Sequence, residues 1–168
     1  MSSSKLHLLS DSVRAEIDVW IAKYPAEQKQ SATMAALRIA QENNEGYLTN
    51  DLMDAIAEYL VQPAISVYEV ATFYSMYELK PVGKTKICVC TNVSCMLRGS
   101  DEIVAKLKSR LGIGLGEMRN DGRYSIKEVE CLGACGGAPM FQIDKTYYEN
   151  LTPEKVDEIL DALEQSAS

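Results

Sequence analysis

The stretch Cys88-Val-Cys-Thr-Asn-Val-Ser-Cys95 organises this chain, together with a second stretch, Cys131-Leu-Gly-Ala-Cys135. All 5 cysteines of the chain lie in these two places. Four residues separate Cys90 from Cys95 and three separate Cys131 from Cys135, so each pair can turn its sulfurs inward from one short loop. Four thiolates on two facing loops predict a site for a metal ion or a metal cluster, because thiolates bind zinc, Cu(I) and iron-sulfur clusters.

The spacing of the two pairs bears on which metal is bound. Structural zinc sites usually contain a C-x2-C pair on at least one side, and neither pair here has that spacing. The plant-type [2Fe-2S] arrangement begins with C-x4-C, which matches Cys90 and Cys95, whereas the spacing of Cys131 and Cys135 departs from it. Spacing alone therefore favours an iron-sulfur cluster and leaves zinc or unligated thiols open.

Other chemistries of cysteine do not fit the sequence. A Rieske centre needs two histidines, and the chain contains only His7. The C-x-x-C pair of thioredoxin-type enzymes and the C-x-x-C-H motif of c-type haem proteins are both absent. The N-terminal residues lack the apolar run of a secretory signal, so we expect a reducing compartment in which disulfides are rare. Cys88 shares one strand face with Cys90, and we expect it to be a small packed thiol rather than a fifth ligand.

Composition excludes several classes of function. The chain has 168 residues, of which 46% are hydrophobic and 24% charged, as in a soluble globular protein of one domain or two small ones. A formal net charge of -7 and a pI near 4.8 argue against nucleic-acid binding, which relies on clustered Lys and Arg. No run of about eighteen apolar residues is present, so we expect no direct membrane insertion.

Helical spacing of apolar residues dominates the chain before residue 81. We predict a tail over residues 1–10 and a helical bundle over residues 11–80, which we expect to serve in docking. Ser10 to Ser12, and Thr49 or Asn50, are available as helix caps. Ser66-Val-Tyr-Glu69 has the pattern of a capping box that opens a fourth helix ending near Tyr77.

Pro81-Val-Gly83 marks a change of pattern, and residues 81–168 are predicted to form a second domain. Ser100 is expected to cap a helix that ends at Gly112, and Thr152-Pro153 starts a final helix. The strands are predicted at residues 84–90, at residues 123–130 with a bulge between Ile126 and Val129, and in a hairpin over residues 138–143 and 146–149.

Four strings in the chain resemble a known family. They are similar to the small thioredoxin-like [2Fe-2S] subunit of NADH:quinone oxidoreductase, respiratory complex I. The strings are Tyr68-Glu-Val-Ala-Thr-Phe-Tyr-Ser-Met-Tyr77, Cys90-Thr-Asn-Val-Ser-Cys-Met-Leu-Arg-Gly-Ser-Asp101, Glu128-Val-Glu-Cys-Leu-Gly-Ala-Cys-Gly-Gly-Ala-Pro-Met140 and Tyr147-Tyr-Glu-Asn-Leu-Thr-Pro153.

The resemblance implies a fold, a cofactor and a partner. The fold class is α+β or α/β, with the N-terminal helical bundle followed by a thioredoxin-like [2Fe-2S] ferredoxin domain. One [2Fe-2S] cluster is expected on Cys90, Cys95, Cys131 and Cys135. From the residues themselves, we expect glycines at 133, 136 and 137 to let backbone N–H groups approach the sulfurs, and a merely tight loop is the alternative.

The resemblance also implies an electron carrier without catalytic residues of its own. NADH and FMN are expected on a partner, the flavin-binding subunit of complex I, with further peripheral-arm subunits nearby. We expect a bacterial, cytoplasmic protein that is peripheral to the inner membrane, because the short tail lacks an Arg-rich transit peptide. Two alternatives stay open: the equivalent diaphorase subunit of an NAD-linked hydrogenase or formate dehydrogenase, and an interaction module stapled by zinc on four cysteines.

Overall fold

Amphipathic helices build the first half of the chain in the computed structural model, which describes residues 4–166. The chain divides between Pro81 and Val82 into two units. Short 3-10 turns precede the first and second helices of the first unit. Among the described residues, no helix is long and apolar enough to cross a membrane. The helices of the first unit are α1 (Asp11–Ile21), α2 (Thr33–Glu42), α3 (Asn50–Tyr59) and α4 (Ala64–Phe73).

Two of the predicted caps in the first unit are confirmed. The Ser10 side chain accepts a hydrogen bond from the Val13 amide, and Thr49 accepts one from the Leu52 amide. These side chains satisfy amides that have no partner within the helix. The apolar faces of the four helices pack into one core, whose fully buried large side chains include Ile17, Leu37, Ile39, Met53, Ile56 and Leu60.

The prediction for the fourth helix is wrong at both ends. α4 begins at Ala64 directly after Pro63, so Ser66 lies inside the first turn and forms no capping box. The ring of Pro63 fixes the φ angle of the residue that precedes the helix. The Pro63 carbonyl accepts a hydrogen bond from the Ser66 amide at 3.1 Å. The helix ends at Phe73, because Tyr77 is held elsewhere: its ring is buried and its hydroxyl donates to the Met34 carbonyl at 2.8 Å.

The segment before α1 contacts the helical bundle. Lys5 Nζ forms ion pairs with Asp51 at 2.7 Å and Asp54 at 2.6 Å, both on α3. Leu9 is only 1% exposed within the core of the first unit. Residues 1–3 of the predicted tail lie outside the described part of the chain. From Ser4 onward, packing and charge therefore attach this segment to the bundle.

The second unit contains a four-stranded sheet. Its strand order is β2-β1-β3-β4, in which β1 and β2 are parallel and the other neighbours are antiparallel. The hairpin between β3 and β4 crosses Asp144-Lys145, as predicted. The elements are β1 (Thr85–Cys90), α5 (Val93–Met96), α6 (Ser100–Leu111), β2 (Tyr124–Val129), β3 (Phe141–Ile143), β4 (Thr146–Tyr148) and α7 (Pro153–Ser166).

The bulge predicted in the second strand is wrong. β1 and β2 pair without interruption from Thr85 beside Tyr124 to Cys90 beside Val129. The change in polarity has another cause, since Glu128 occupies the same strand face as Ile126 but is exposed. The strand runs past the end of its apolar core while keeping its pairing.

Two helices complete the core of the second unit. Apolar side chains of α6 and α7 pack with those of the strands, and Ile103, Leu107, Val156 and Leu160 are buried. Gly112 ends α6 with a φ of 68°, as predicted. The cap expected at Ser100 is wrong by one position: Gly99 is the N-cap, and Ser100 is the first helical residue. The predicted mixture of a helical bundle with a helix-and-sheet unit is confirmed at the level of these elements.

Candidate metal centre

The two cysteine loops begin side by side because β1 and β2 are parallel neighbours. Cys90 is the last residue of β1 and lies beside Val129, the last residue of β2. Beyond the strands, the Thr91 amide donates to the Val129 carbonyl at 3.2 Å. The Thr91 hydroxyl also donates to the Glu128 carboxylate at 2.8 Å. Parallel pairing therefore places the start of the second cysteine loop against the start of the first.

The first cysteine pair lies in an apolar pocket. Cys90 is 3% exposed and Cys95, on the one-turn helix α5, is 1% exposed. The two sulfurs are close enough for Cys90 to act on the ionisation of Cys95. Buried Ala138 and Met140 pack against this pair, together with the half-buried side chains of Leu132 and Ala134. The second cysteine loop and the residues after it thus form part of the lining around the first pair.

Burial controls the ionisation of Cys95. Loss of hydration raises the pKa of its thiol to about 11, the hydrogen bond and the charge of Cys90 add to the rise, and Cys135 contributes a smaller part through its charge. A thiol of this kind keeps its proton at neutral pH unless a bound metal replaces that proton. The pocket suits thiols that ligate metal better than it suits free thiolates.

The second cysteine pair lies at the surface. Cys131 and Cys135 are both exposed, on the loop that follows β2. The Gly133 amide points at Cys131 Sγ with a nitrogen-to-sulfur distance of 3.3 Å. Gly133 has a φ of +76°, which a glycine adopts without steric cost. A backbone N–H in this position stabilises negative charge on the sulfur.

The other two glycines behave differently from the expectation. The Gly137 amide donates to the Ala134 carbonyl at 3.0 Å and not to a sulfur, so its predicted role is wrong. Gly137 lacks a side chain for a steric reason, because the Glu149 side chain lies over its α-carbon. Gly136 has open space where a Cβ would be, and nothing in its surroundings requires a glycine.

The structure brings together part of the predicted ligand set. Cys90 and Cys95 are in contact, and Cys135 is near enough for its charge to act on Cys95. The contact of the Cys131 sulfur, by contrast, is with the Gly133 amide of its own loop. Within residues 4–166, no three His, Cys, Asp or Glu side chains form a group that could hold one metal ion. Cys88 is half-buried in β1, less enclosed than the packed thiol that was expected. The four-cysteine set itself stays a prediction.

The donor set nevertheless fits an iron-sulfur cluster. It consists of two pairs of thiols, one buried among apolar side chains and one at the surface, with a backbone N–H directed at a sulfur. Thiolate ligands, an apolar surround and N–H groups toward sulfur are the features by which proteins hold and tune such clusters.

Sequence reasoning missed two polar side chains around the second cysteine loop. The Tyr147 hydroxyl donates to the Leu132 carbonyl at 2.8 Å. Arg98, which follows the first cysteine loop, donates to the Ala138 carbonyl at 3.4 Å. Both residues belong to the strings quoted for the family resemblance, and that was the signal that could have directed attention to them.

Comparisons with known proteins point to an iron-sulfur family. A family model described as thioredoxin-like [2Fe-2S] ferredoxin matches residues 17–164. The chain is 50% identical over 143 residues to the E subunit of NADH-quinone oxidoreductase from Rickettsia bellii (strain RML369-C), covering 85% of this chain and 86% of that protein. It is 40% identical over 151 residues to NADH dehydrogenase [ubiquinone] flavoprotein 2, mitochondrial, of Dictyostelium discoideum, covering 90% of this chain and 61% of that protein.

A solved structure supports the fold. A chain of the air-oxidised NAD+-reducing [NiFe]-hydrogenase matches with a TM-score of 0.69 at 17% identity. The match covers 84% of this chain but 24% of the hydrogenase chain. At that identity, the likeness is one of fold.

Proposed function

Because the chain belongs to the thioredoxin-like [2Fe-2S] ferredoxin family, we propose that it is the electron-transfer subunit of an NADH:quinone oxidoreductase. Its cluster ligands are Cys90, Cys95, Cys131 and Cys135. The electrons originate from NADH and arrive through FMN, and both of these cofactors are bound by a partner, the flavin-binding subunit. The observation that carries the proposal is the identity of 50% to the E subunit of such an oxidoreductase across most of both chains.

The residues of the site divide the work of holding one cluster. When bound, a [2Fe-2S] cluster supplies one-electron oxidation and reduction. Cys90 and Cys95 provide two thiolates from the apolar pocket, and Met140 and its neighbours keep water from them. Cys131 and Cys135 provide two more at the surface, where the Gly133 amide stabilises the charge on Cys131. The family match favours this reading over a zinc-stapled module.

The chain contributes to an enzyme without catalysing a reaction alone. Its partners in this proposal are the flavin-binding subunit and other subunits of the peripheral arm. The location that follows is cytoplasmic, at the inner membrane through the complex.

The first unit is proposed to dock the chain on its partner. Large apolar side chains on and beside α4 are exposed, including Val61, Ile65 and Phe73, and Phe73 is 80% exposed. Exposed apolar groups of this kind mark surfaces that become buried in complexes. The cluster ligands all lie in the other unit, so the first unit is available for binding.

The ligand assignment is tested by replacing each cysteine separately. Alanine at position 90, 95, 131 or 135 removes one of the four protein bonds, and we expect loss of bound iron and acid-labile sulfide in each variant. Cys88→Ser is the matched control, because it removes a thiol from the same strand as Cys90, and we expect full cluster content. Equal loss in the Cys88→Ser protein would overturn the assignment.

The docking role is tested with two exposed apolar residues of nearly equal exposure. Phe73→Ser in the first unit is expected to weaken binding to the flavin-binding subunit by about tenfold, as for a moderate interface hot spot. Leu97, which is 78% exposed in the second unit, is the control, and Leu97→Ser should leave the affinity within about threefold. The reverse result would place docking in the second unit.

A hydrogenase diaphorase is the second candidate, because a chain of an NAD+-reducing hydrogenase shares this fold. The two assemblies differ in their other subunits. Purification through an endogenous tag on this chain separates the candidates by subunit composition. Membrane subunits together with NADH-to-quinone activity support the first candidate, and a nickel-containing subunit supports the second.

A further inference from the structure

The segment between β4 and α7 lies along the second cysteine loop. The Asn150 amide donates to the Gly137 carbonyl at 2.7 Å, and the Leu151 amide donates to the Pro139 carbonyl at 3.0 Å. These are backbone contacts that fix the end of the loop after Cys135. The beginning of the loop, near Cys131, is held by the side chain of Tyr147 in β4.

Tyr147 acts on a particular peptide group. Its hydroxyl donates to the Leu132 carbonyl at 2.8 Å, and the N–H of that same peptide bond belongs to Gly133. The Gly133 N–H points at Cys131 Sγ, 3.3 Å from the nitrogen. Because a peptide group is planar and rigid, fixing the direction of its carbonyl also fixes the direction of its N–H.

We propose that Tyr147 is a positioning residue for the metal centre, which aims the Gly133 N–H at the Cys131 sulfur through the Leu132–Gly133 peptide. Bonds in such a chain polarise one another, so the hydroxyl also strengthens the N–H contact to sulfur. Glycine at position 133 has few conformational restraints of its own, with a φ of +76°. The restraint therefore comes from outside the loop, from the hydroxyl of Tyr147.

The next residue of β4 provides a matched control. Tyr148 points to the opposite face of the strand, where its ring packs against Phe141 with ring centroids 5.5 Å apart. Tyr147→Phe and Tyr148→Phe each remove one hydroxyl and keep the ring. Only the first removes the bond to the Leu132 carbonyl.

The first measurement needs no cluster. Amide hydrogen exchange is followed by NMR on the full chain in reducing, metal-free buffer. We expect the Gly133 amide to exchange about fivefold faster in Tyr147→Phe than in wild type, which corresponds to about 1 kcal/mol for one lost hydrogen bond. Tyr148→Phe should match wild type at Gly133. Equal Gly133 exchange in all three proteins, or the same increase in both variants, would overturn the proposal.

The second measurement uses the cluster-loaded chain and rests on the proposed function. Hydrogen bonds to sulfur favour the reduced state of a cluster. At a fixed solution potential, we expect the ratio of reduced to oxidised protein to fall about fivefold in Tyr147→Phe and to stay unchanged in Tyr148→Phe. Equal ratios in the two loaded variants would overturn the proposal. Failure of the wild-type chain to take up a cluster would instead refute the proposed function, and Gly133 exchange would still decide the role of Tyr147.

Discussion

Gly137 offers a direct test of the packing around the second cysteine loop. A Cβ built on this residue would overlap Glu149, lying closest to a carboxylate oxygen, 2.5 Å from Cδ and 2.7 Å from Cβ. Real Cβ atoms do not approach other atoms so closely, so Gly137→Ala requires something to move. We expect the substitution to lower the free energy of unfolding by about 2 kcal/mol, in the middle of the range for overpacked sites.

The contacts of Glu149 explain why the expected loss of stability in Gly137→Ala is intermediate. Its side chain is exposed, so the carboxylate can rotate into solvent at little cost. Its Cβ cannot rotate away, because the backbone positions it. Moving that backbone would strain the bond from the Asn150 amide to the Gly137 carbonyl, which is 2.7 Å long.

Urea denaturation of the full chain, followed by far-UV circular dichroism in reducing, metal-free buffer, measures these free energies. Gly136→Ala is the control, because nothing lies within 4 Å of its Cβ position, and it should change stability by less than about 0.5 kcal/mol. Glu149→Gly removes the obstructing side chain and by itself costs about 0.5–1 kcal/mol. The double variant Gly137→Ala with Glu149→Gly should be more stable than the sum of the single changes by about 1 kcal/mol.

Two results would refute this reasoning. If Gly137→Ala and Gly136→Ala were equally stable, the overlap with Glu149 would have no energetic consequence. If the two single changes were additive in the double variant, the cost at Gly137 would come from some other contact than Glu149.

Three further outcomes are expected. Lys106 and Arg110 lower the pKa of Asp157 in the folded chain. The contribution of Asp157 to stability is therefore present above its unfolded pKa of about 3.9 and is lost as the pH falls through its lower folded pKa. Urea midpoints measured against pH should fall less at the acid end in Asp157→Asn than in wild type. Burial raises the pKa of Tyr77 to about 12, so wild type should lose stability between pH about 10 and about 12, and the same urea series should show a smaller loss in Tyr77→Phe. Calorimetric titration of the isolated chain with NADH or FMN at about 1 mM should show no saturable heat. The glycine-rich segment of the chain, residues 112–116, follows a helix and lacks the strand-to-helix setting of a dinucleotide-binding loop. Saturable heat would place a cofactor site on this chain.

Local sequence was sufficient wherever the determinant of structure is itself local. The caps at Ser10 and Thr49 and the terminator at Gly112 were predicted correctly, because each depends on a side chain or a φ angle within one turn of the helix end. The hairpin across Asp144-Lys145 follows the same rule. The pairing of cysteines in two loops was also visible, since spacing along the chain limits which sulfurs one loop can present.

Tertiary structure decided what depends on distant segments. The change in polarity around Glu128 suggested a bulge from the sequence, but the strand keeps its pairing with β1, a neighbour more than thirty residues away in sequence. The contrast between buried Cys90 and Cys95 and exposed Cys131 and Cys135 arises because later residues, including Met140, pack over the first pair. The bond from Tyr147 to the Leu132 carbonyl exists because antiparallel pairing returns β4 to the side of the second cysteine loop. Spacing along the chain carries no information about such contacts, since strand order and direction determine which segments become neighbours.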